Sequence, residues 1–187
     1  MRRMKLSRLL LALSFGLFAT AAHAALKPGD SAPDFTVPAA TGGKDFSFSL
    51  AEQLKKGPVV VYFYPKSFTR GCTIEAHEFA ENYDNFVAAG AALIGLSADT
   101  IEVQREFSTK ECRDKFPVGA DPSLKVIQSY DAKRERPGQS GEALADRISY
   151  VIGPDGKVLF ALTDSNPTKH VQDTLAFVRQ WREQHQH

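Results

Sequence analysis

The chain has 187 residues, 43% hydrophobic and 24% charged, with two cysteines and a formal net charge of +1. Four basic and no acidic residues fall in the first 24 positions, so residues 25–187 hold 19 Lys+Arg against 22 Asp+Glu, a formal charge of −3. That balance argues against a nucleic-acid or membrane-surface partner, and 163 residues free of repeats, low-complexity tracts or linkers suit one domain whose core needs no disulfide to hold it.

Residues 1–24, MRRMKLSRLLLALSFGLFATAAHA, join a basic start (Arg2, Arg3, Lys5, Arg8) to an apolar stretch from Leu9 to Ala22 and a small-x-small site at Ala22-His23-Ala24. This is the pattern of a cleavable secretory signal. The apolar run is shorter than the roughly 20 residues a spanning helix needs, and no cysteine follows the cleavage site to take a lipid. An exported protein is expected, in a bacterial periplasm, with no membrane insertion after cleavage.

Phe35 to Leu50 reads as a polar, hairpin-like lead. The segment PVVVYFYP, Pro58 to Pro65, is a proline-bounded run of β-branched and aromatic residues, the signature of a strand buried on both faces. After Gly71 the apolar period becomes helical: Ala76, Phe79, Ala80, Tyr83, Phe86 and Val87 recur on one side until AAG closes the segment near Gly90. AALIGLSAD from Ala91 is a second buried strand, IEVQREF opens another helix, FPVGAD from Phe116 is a short third strand, and LKVIQSYDA is a helix. RISYVIGPDGKVLFAL from Arg147 is a hairpin turning at Gly153-Pro154-Asp155-Gly156. A last helix opens at Asn166-Pro167 and carries Val171, Leu175, Val178 and Trp181 as a core stripe.

This order implies an α/β fold with a mixed central sheet flanked by helices. Ligand chemistry in such sheets gathers at the carboxyl ends of central strands. Cys72 falls there, at a strand-to-helix junction, where unpaired backbone N–H groups and the helix macrodipole favour a thiolate. Gly71 lets the backbone approach closely. On position alone an inert buried cysteine explains the residue equally well.

The surrounding residues break that tie. PKSFTRGC sets Pro65, Thr69 and Cys72 in the pattern P-x-x-x-T-x-x-C, which closely resembles the active-site motif of peroxiredoxins, and CTIEAHEF resembles the continuation found in their bacterioferritin-comigratory, or Q-type, branch. The similarity runs from PGDSAPDFTV at Pro28 to the final helix. The resemblance implies a thioredoxin-like fold and reduction of hydrogen peroxide or organic hydroperoxides, with no cofactor or metal. It makes Cys72 the peroxidatic cysteine, has Thr69 hydrogen-bond the peroxide, and has Pro65 shield the pocket. A thiolate attacks one peroxide oxygen while charge builds on the other, and positioned donors stabilise that charge.

The family's arginine is matched by Arg147, which period-2 alternation puts on the face opposite Ile148, Tyr150 and Ile152. Taken alone, an arginine at a strand end is ordinarily solvated. Glu75 is its expected buried partner, though a carboxylate in a first helical turn is also what the macrodipole favours. Arg70 and Ser67 stand where proline and aspartate are common in the family, and DAKRERPGQSGEALAD fits the family poorly, which leaves the pocket rim open.

A peroxide-oxidised cysteine becomes a sulfenic acid that must meet another thiol or oxidise further. Many Q-type relatives place that thiol five residues on, where this chain has His77, so Cys112 is the remaining candidate resolving cysteine. If the helix from Ile101 runs unbroken, Cys112 lies about 180° from Val103 and is exposed. If Ser108 caps a new helix with Glu111 in an S-x-x-E box, Cys112 is partly packed beside Phe107. A thioredoxin-like dithiol protein is the implied reductant and a monomer the implied state.

Other readings remain at this point, an idle Cys112 among them. A Cys72–Cys112 bridge closing a 40-residue loop would stabilise a purely structural module by roughly 4 kcal/mol. An exported thiol-disulfide oxidoreductase would need a cysteine where Glu75 stands, and a copper-delivering protein one where Ala76 stands. His77, His170, His185 and His187 show no metal-ligand spacing.

Overall fold

A computed structural model describes residues 25–185; the expected signal segment and His187 lie outside them. One seven-stranded mixed sheet organises the chain, in the order β2-β1-β5-β4-β3-β6-β7. β1 (Thr36–Thr41) and β2 (Lys44–Ser49) form the leading hairpin, turning at Gly42 and Gly43, whose φ of 55° and 73° are what a tight hairpin turn asks of glycine. The short helix α1 (Leu50–Leu54), capped by Ser49, follows directly and was not foreseen from the sequence; its five residues are too few to show a period.

β3 (Val59–Phe63) is buried at every position. It pairs in parallel with β4 (Ala92–Ser97) and antiparallel with β6 (Ile148–Ile152), so both faces and both edges of its apolar run are covered. Between β3 and β4 runs α2 (Arg70–Ala88), which Gly90, at φ 77°, brings to an end as Ala91 N–H donates back to Phe86 O. α3 (Ile101–Lys110) leads to β5 (Val118–Ala120) and α4 (Lys125–Ser129), β6 turns at Gly153–Gly156 into β7 (Val158–Thr163), and α5 (Pro167–His185) closes the fold.

Alternation along the strands divides the core between two faces. Val59, Val61 and Phe63 point to a cluster with Leu50, Ile127, Tyr130 and Tyr150, beneath α1 and α4. Val60 and Tyr62 point the other way, to Cys72, Phe79, Phe86, Phe107, Cys112, Phe116, Val171 and Val178, beneath α2, α3 and α5. Each such side chain contributes about 1.5–3 kcal/mol on burial. Two residues expected in the helical stripes depart from them. Val87 is 53% exposed at the last turn of α2, past the reach of the sheet, and Trp181 is only half-buried near the end of α5, stacked on His185 at 4.2 Å between ring centroids.

Candidate active site

The chain leaves β3 at Tyr64, whose N–H still donates to Leu96 O at 3.0 Å, and crosses to α2 through Pro65–Thr69. Pro65 is half-buried at the start of this loop. Thr69 sits at the N-cap of α2 but spends its hydroxyl proton on Lys66 O, at 2.9 Å, so Oγ1 is left as an acceptor toward any ligand O–H above the helix. Phe68, at φ 65° and 43% exposed, stands edge-on to Phe107.

Cys72 occupies the first turn of α2, 2% exposed, with its thiol free. Arg147, immediately before β6, is buried rather than solvated as an isolated strand-end arginine would be. Its Nη2 donates to Cys72 Sγ at 3.4 Å and its Nη1 to Glu75 Oε2, so one planar guanidinium serves both α2 residues. Gly71 makes room for it: a Cβ there would lie 3.2 Å from Arg147 Nη2.

Burial pushes the Glu75 carboxyl up to about 8, against the pull of Arg147. Burial also works against the charge on Arg147, but Glu75 and Cys72 beside it outweigh that and hold the guanidinium above its ordinary value. The positive charge therefore persists, and a partly neutral Glu75 leaves much of it facing the sulfur. Glu75 Oε1 and Tyr62 OH are the buried side-chain polar atoms without a hydrogen-bond partner among the described residues.

A polar network beneath the loop was not singled out in the sequence. Tyr64 OH donates to Gln104 Oε1 at 2.7 Å, Gln104 Nε2 donates to Ser97 Oγ at 2.8 Å, and Ser97 Oγ donates to Asp99 Oδ2 at 2.7 Å. Asp99 Oδ2 in turn accepts from Ser67 N–H at 2.8 Å, which anchors the loop from below. The available signal was Gln104, a polar residue at an inward position of α3. At the rim, Lys66 pairs with Glu142 at 2.9 Å, tying the loop to the segment that fits the family poorly. Arg70 is exposed.

For Cys112 the structure overturns the exposed reading, and of the capped one it keeps the packing with Phe107 but not the cap. α3 ends at Lys110, and Ser108 caps nothing, its hydroxyl donating to Arg105 O at 2.8 Å. Cys112 N–H bonds Phe107 O at 3.1 Å as the chain turns inward, and the side chain is 0% exposed. Burial pushes this thiol well above its ordinary value. His77 does not point to a metal: it pairs with Glu111 at 2.6 Å. His170 is buried between Ser149 Oγ and Asp164 O, each at 2.8 Å from a ring nitrogen.

A buried thiol in the first turn of α2 thus has one guanidinium donating to its sulfur, beside the carboxyl end of a central strand, an arrangement that favours a thiolate there. The AhpC/TSA family model matches residues 28–161, and this chain belongs to that peroxiredoxin family. It is 31% identical over 157 residues to peroxiredoxin Bcp of Escherichia coli K12, covering 83% of this chain and 97% of that one. It is 34% identical over 152 residues to the chloroplastic peroxiredoxin Q of Oryza sativa subsp. japonica, covering 81% and 66%. Among solved structures, peroxidoxin BcpB of Mycobacterium tuberculosis superposes with a TM-score of 0.73 at 30% identity, covering 83% of this chain and 97% of that one.

Proposed function

We propose that this protein is an exported hydroperoxide reductase working through Cys72 and Cys112. The observation that carries the reading is the Arg147 guanidinium donating to a sulfur held in the first turn of α2. The Cys72 thiolate attacks the near peroxide oxygen, the O–O bond breaks, and the leaving oxygen departs as water or an alcohol once protonated, with Cys72 left as a sulfenic acid. Thr69 Oγ1 accepts the peroxide O–H and orients it, Arg147 stabilises charge on sulfur and leaving oxygen, Glu75 holds Arg147 in place, and Pro65 closes the entrance to water. No cofactor is needed because the electrons come from sulfur.

Cys112 then resolves the sulfenic acid as an intramolecular disulfide. The two thiols belong to the same buried cluster, which supports closure within one chain and a monomeric enzyme. Burial of both means that local opening must precede the bond. A thioredoxin-like dithiol protein restores the pair, and the segment 1–24 supports export. The thiol-disulfide oxidoreductase reading is disfavoured, because the position it needs for a second cysteine holds Glu75, engaged with Arg147.

The test is peroxide consumption by the pre-reduced protein. The expected rate constant lies orders of magnitude above that of free cysteine and vanishes in Cys72→Ser, while Cys112→Ser turns over once and does not cycle with a dithiol protein. A rate no better than free cysteine would overturn the assignment of Cys72; undiminished cycling of Cys112→Ser would overturn that of Cys112.

A further inference from the structure

The segment that carries Cys112 is pulled two ways. Directly after the cysteine, Arg113 (φ 52°) and Asp114 (φ 60°) are consecutive non-glycine residues in the left-handed region, a conformation that L side chains adopt only at a cost. Opposing that strain, three side-chain pairings, two of them ion pairs, fasten the segment to α2. His77 Nε2 meets Glu111 Oε2 at 2.6 Å, Glu81 Oε1 meets Arg113 Nη1 at 3.0 Å, and Asp84 Oδ2 meets Lys115 Nζ at 3.5 Å. On α2 these residues follow one another by four and three, so they form a single stripe. Their partners are every second residue of the segment. The strained turn is thus clamped onto the helix whose first turn holds Cys72.

We propose that this three-rung ladder is a latch that sets how often Cys112 leaves its pocket, and therefore how fast the Cys72 sulfenic acid is closed. The proposal rests on the reading of Cys112 as the resolving thiol. In the closing step the Cys112 sulfur attacks the Cys72 sulfur, the S–S bond forms, the S–O bond breaks, and the departing hydroxide leaves as water with the Cys112 proton. Inside its aromatic surroundings that thiol is both unreachable and held protonated. Opening removes both obstacles. Until it occurs, a second peroxide can carry the sulfenic acid to a sulfinic acid, so the latch also sets the resistance of the enzyme to its own substrate.

The ladder suits this role because its pairs are weak. Exposed ion pairs barely alter global stability, but local opening of one strained turn is a far smaller event than unfolding, and the same small contributions weigh heavily in it. The residues of the ladder lie outside the Cys72, Arg147 and Glu75 cluster, so they act on Cys112 without touching the reacting peroxide.

The experiment begins in a Cys72→Ser background, where Cys112 is the sole thiol and its alkylation rate in the folded protein reports opening. Removing two rungs with Glu81→Gln and Asp84→Asn should speed alkylation about fivefold, and adding His77→Ala should bring the gain to about tenfold. At about 1 M salt the parent should approach the variants. The swap Glu81→Arg with Arg113→Glu should restore slow alkylation, a rescue that a merely structural role would not show. With both cysteines present, the unlatched variants should form disulfide faster and yield less sulfinic acid after a peroxide pulse, read by mass spectrometry. Unchanged alkylation in the Cys72→Ser variants, while their two-cysteine counterparts still form the disulfide, would overturn the latch and leave the resolving role standing. Faster alkylation with an unchanged disulfide rate would equally overturn it. Absence of any Cys72–Cys112 disulfide would sink the resolving role and the latch with it.

Discussion

Replacing Arg147 by methionine, an unbranched side chain of similar reach, separates the catalytic use of the guanidinium from its structural one. One group makes both contacts, to Cys72 Sγ at 3.4 Å and to Glu75 Oε2, and the variant loses both. Loss of one preorganised donor to developing charge costs about 100- to 1000-fold in rate. The structural cost is smaller than a broken buried ion pair suggests. Removing one partner usually leaves an orphaned charge and costs about 3–5 kcal/mol, but burial raises Glu75 to about 8, so near neutral pH its carboxyl is already largely protonated, and without the pull of Arg147 it is more so. The remaining cost is that of a lost charge-assisted hydrogen bond, about 1.5–3 kcal/mol. Stopped-flow oxidation of the reduced variant by hydrogen peroxide gives the first quantity, and urea unfolding at neutral pH gives the second. A rate constant equal to that of wild type in a folded variant would refute the role of Arg147. A stability loss well above the stated range would mean that Glu75 is left charged.

Two further outcomes are expected. Tyr62→Phe removes a buried hydroxyl without a partner, which lies against Gly95 where even a Cβ would come within 2.6 Å of it, so urea unfolding should show stability unchanged or raised by about 1 kcal/mol; a clear loss would mean the hydroxyl is satisfied. His170 is pushed below its ordinary 6.5 by burial, so the unfolded chain binds its proton first as pH falls. Its contribution is fully present above 6.5 and is lost as pH drops through 6.5 toward the depressed folded value. Because the raised carboxyl of Glu75 works in the opposite sense over this range, the effect is read as a difference: the stability of wild type relative to His170→Gln, from urea unfolding, should shrink between about pH 7 and 5; a constant difference would exclude His170 as a source of pH dependence.

The arrangement of Cys72 was legible because its determinants are contiguous. The strand, the break at Pro65, the change of period after Gly71 and the helix that follows lie within the 30 residues from Val59 to Ala88, and each obeys local rules of turn and repeat. Arg147 was legible only in part. Alternation along β6 placed it on the face away from Ile148 and Tyr150, but its contact with a residue 75 positions earlier depends on β3 and β6 pairing with Phe63 opposite Ile148, and no local pattern encodes that register. Gly71 was read as permitting close approach, while the group that approaches, the guanidinium, is supplied by another strand.

Cys112 marks the boundary between the two kinds of information. Helical period and capping chemistry offered an exposed or a half-packed cysteine, both assuming that helix continued past it. The chain instead leaves α3 at Lys110, turns left-handed at Arg113 and Asp114, and buries Cys112 with Phe116 on the way to β5. The sequence by itself determined every element but α1, their order, and the place of Cys72 in the first turn of α2, since these follow from neighbours within a few turns. The burial of Cys112, the shared guanidinium and the ion pairs across α2 were decided by the tertiary structure, because each depends on which distant surfaces the sheet brings face to face.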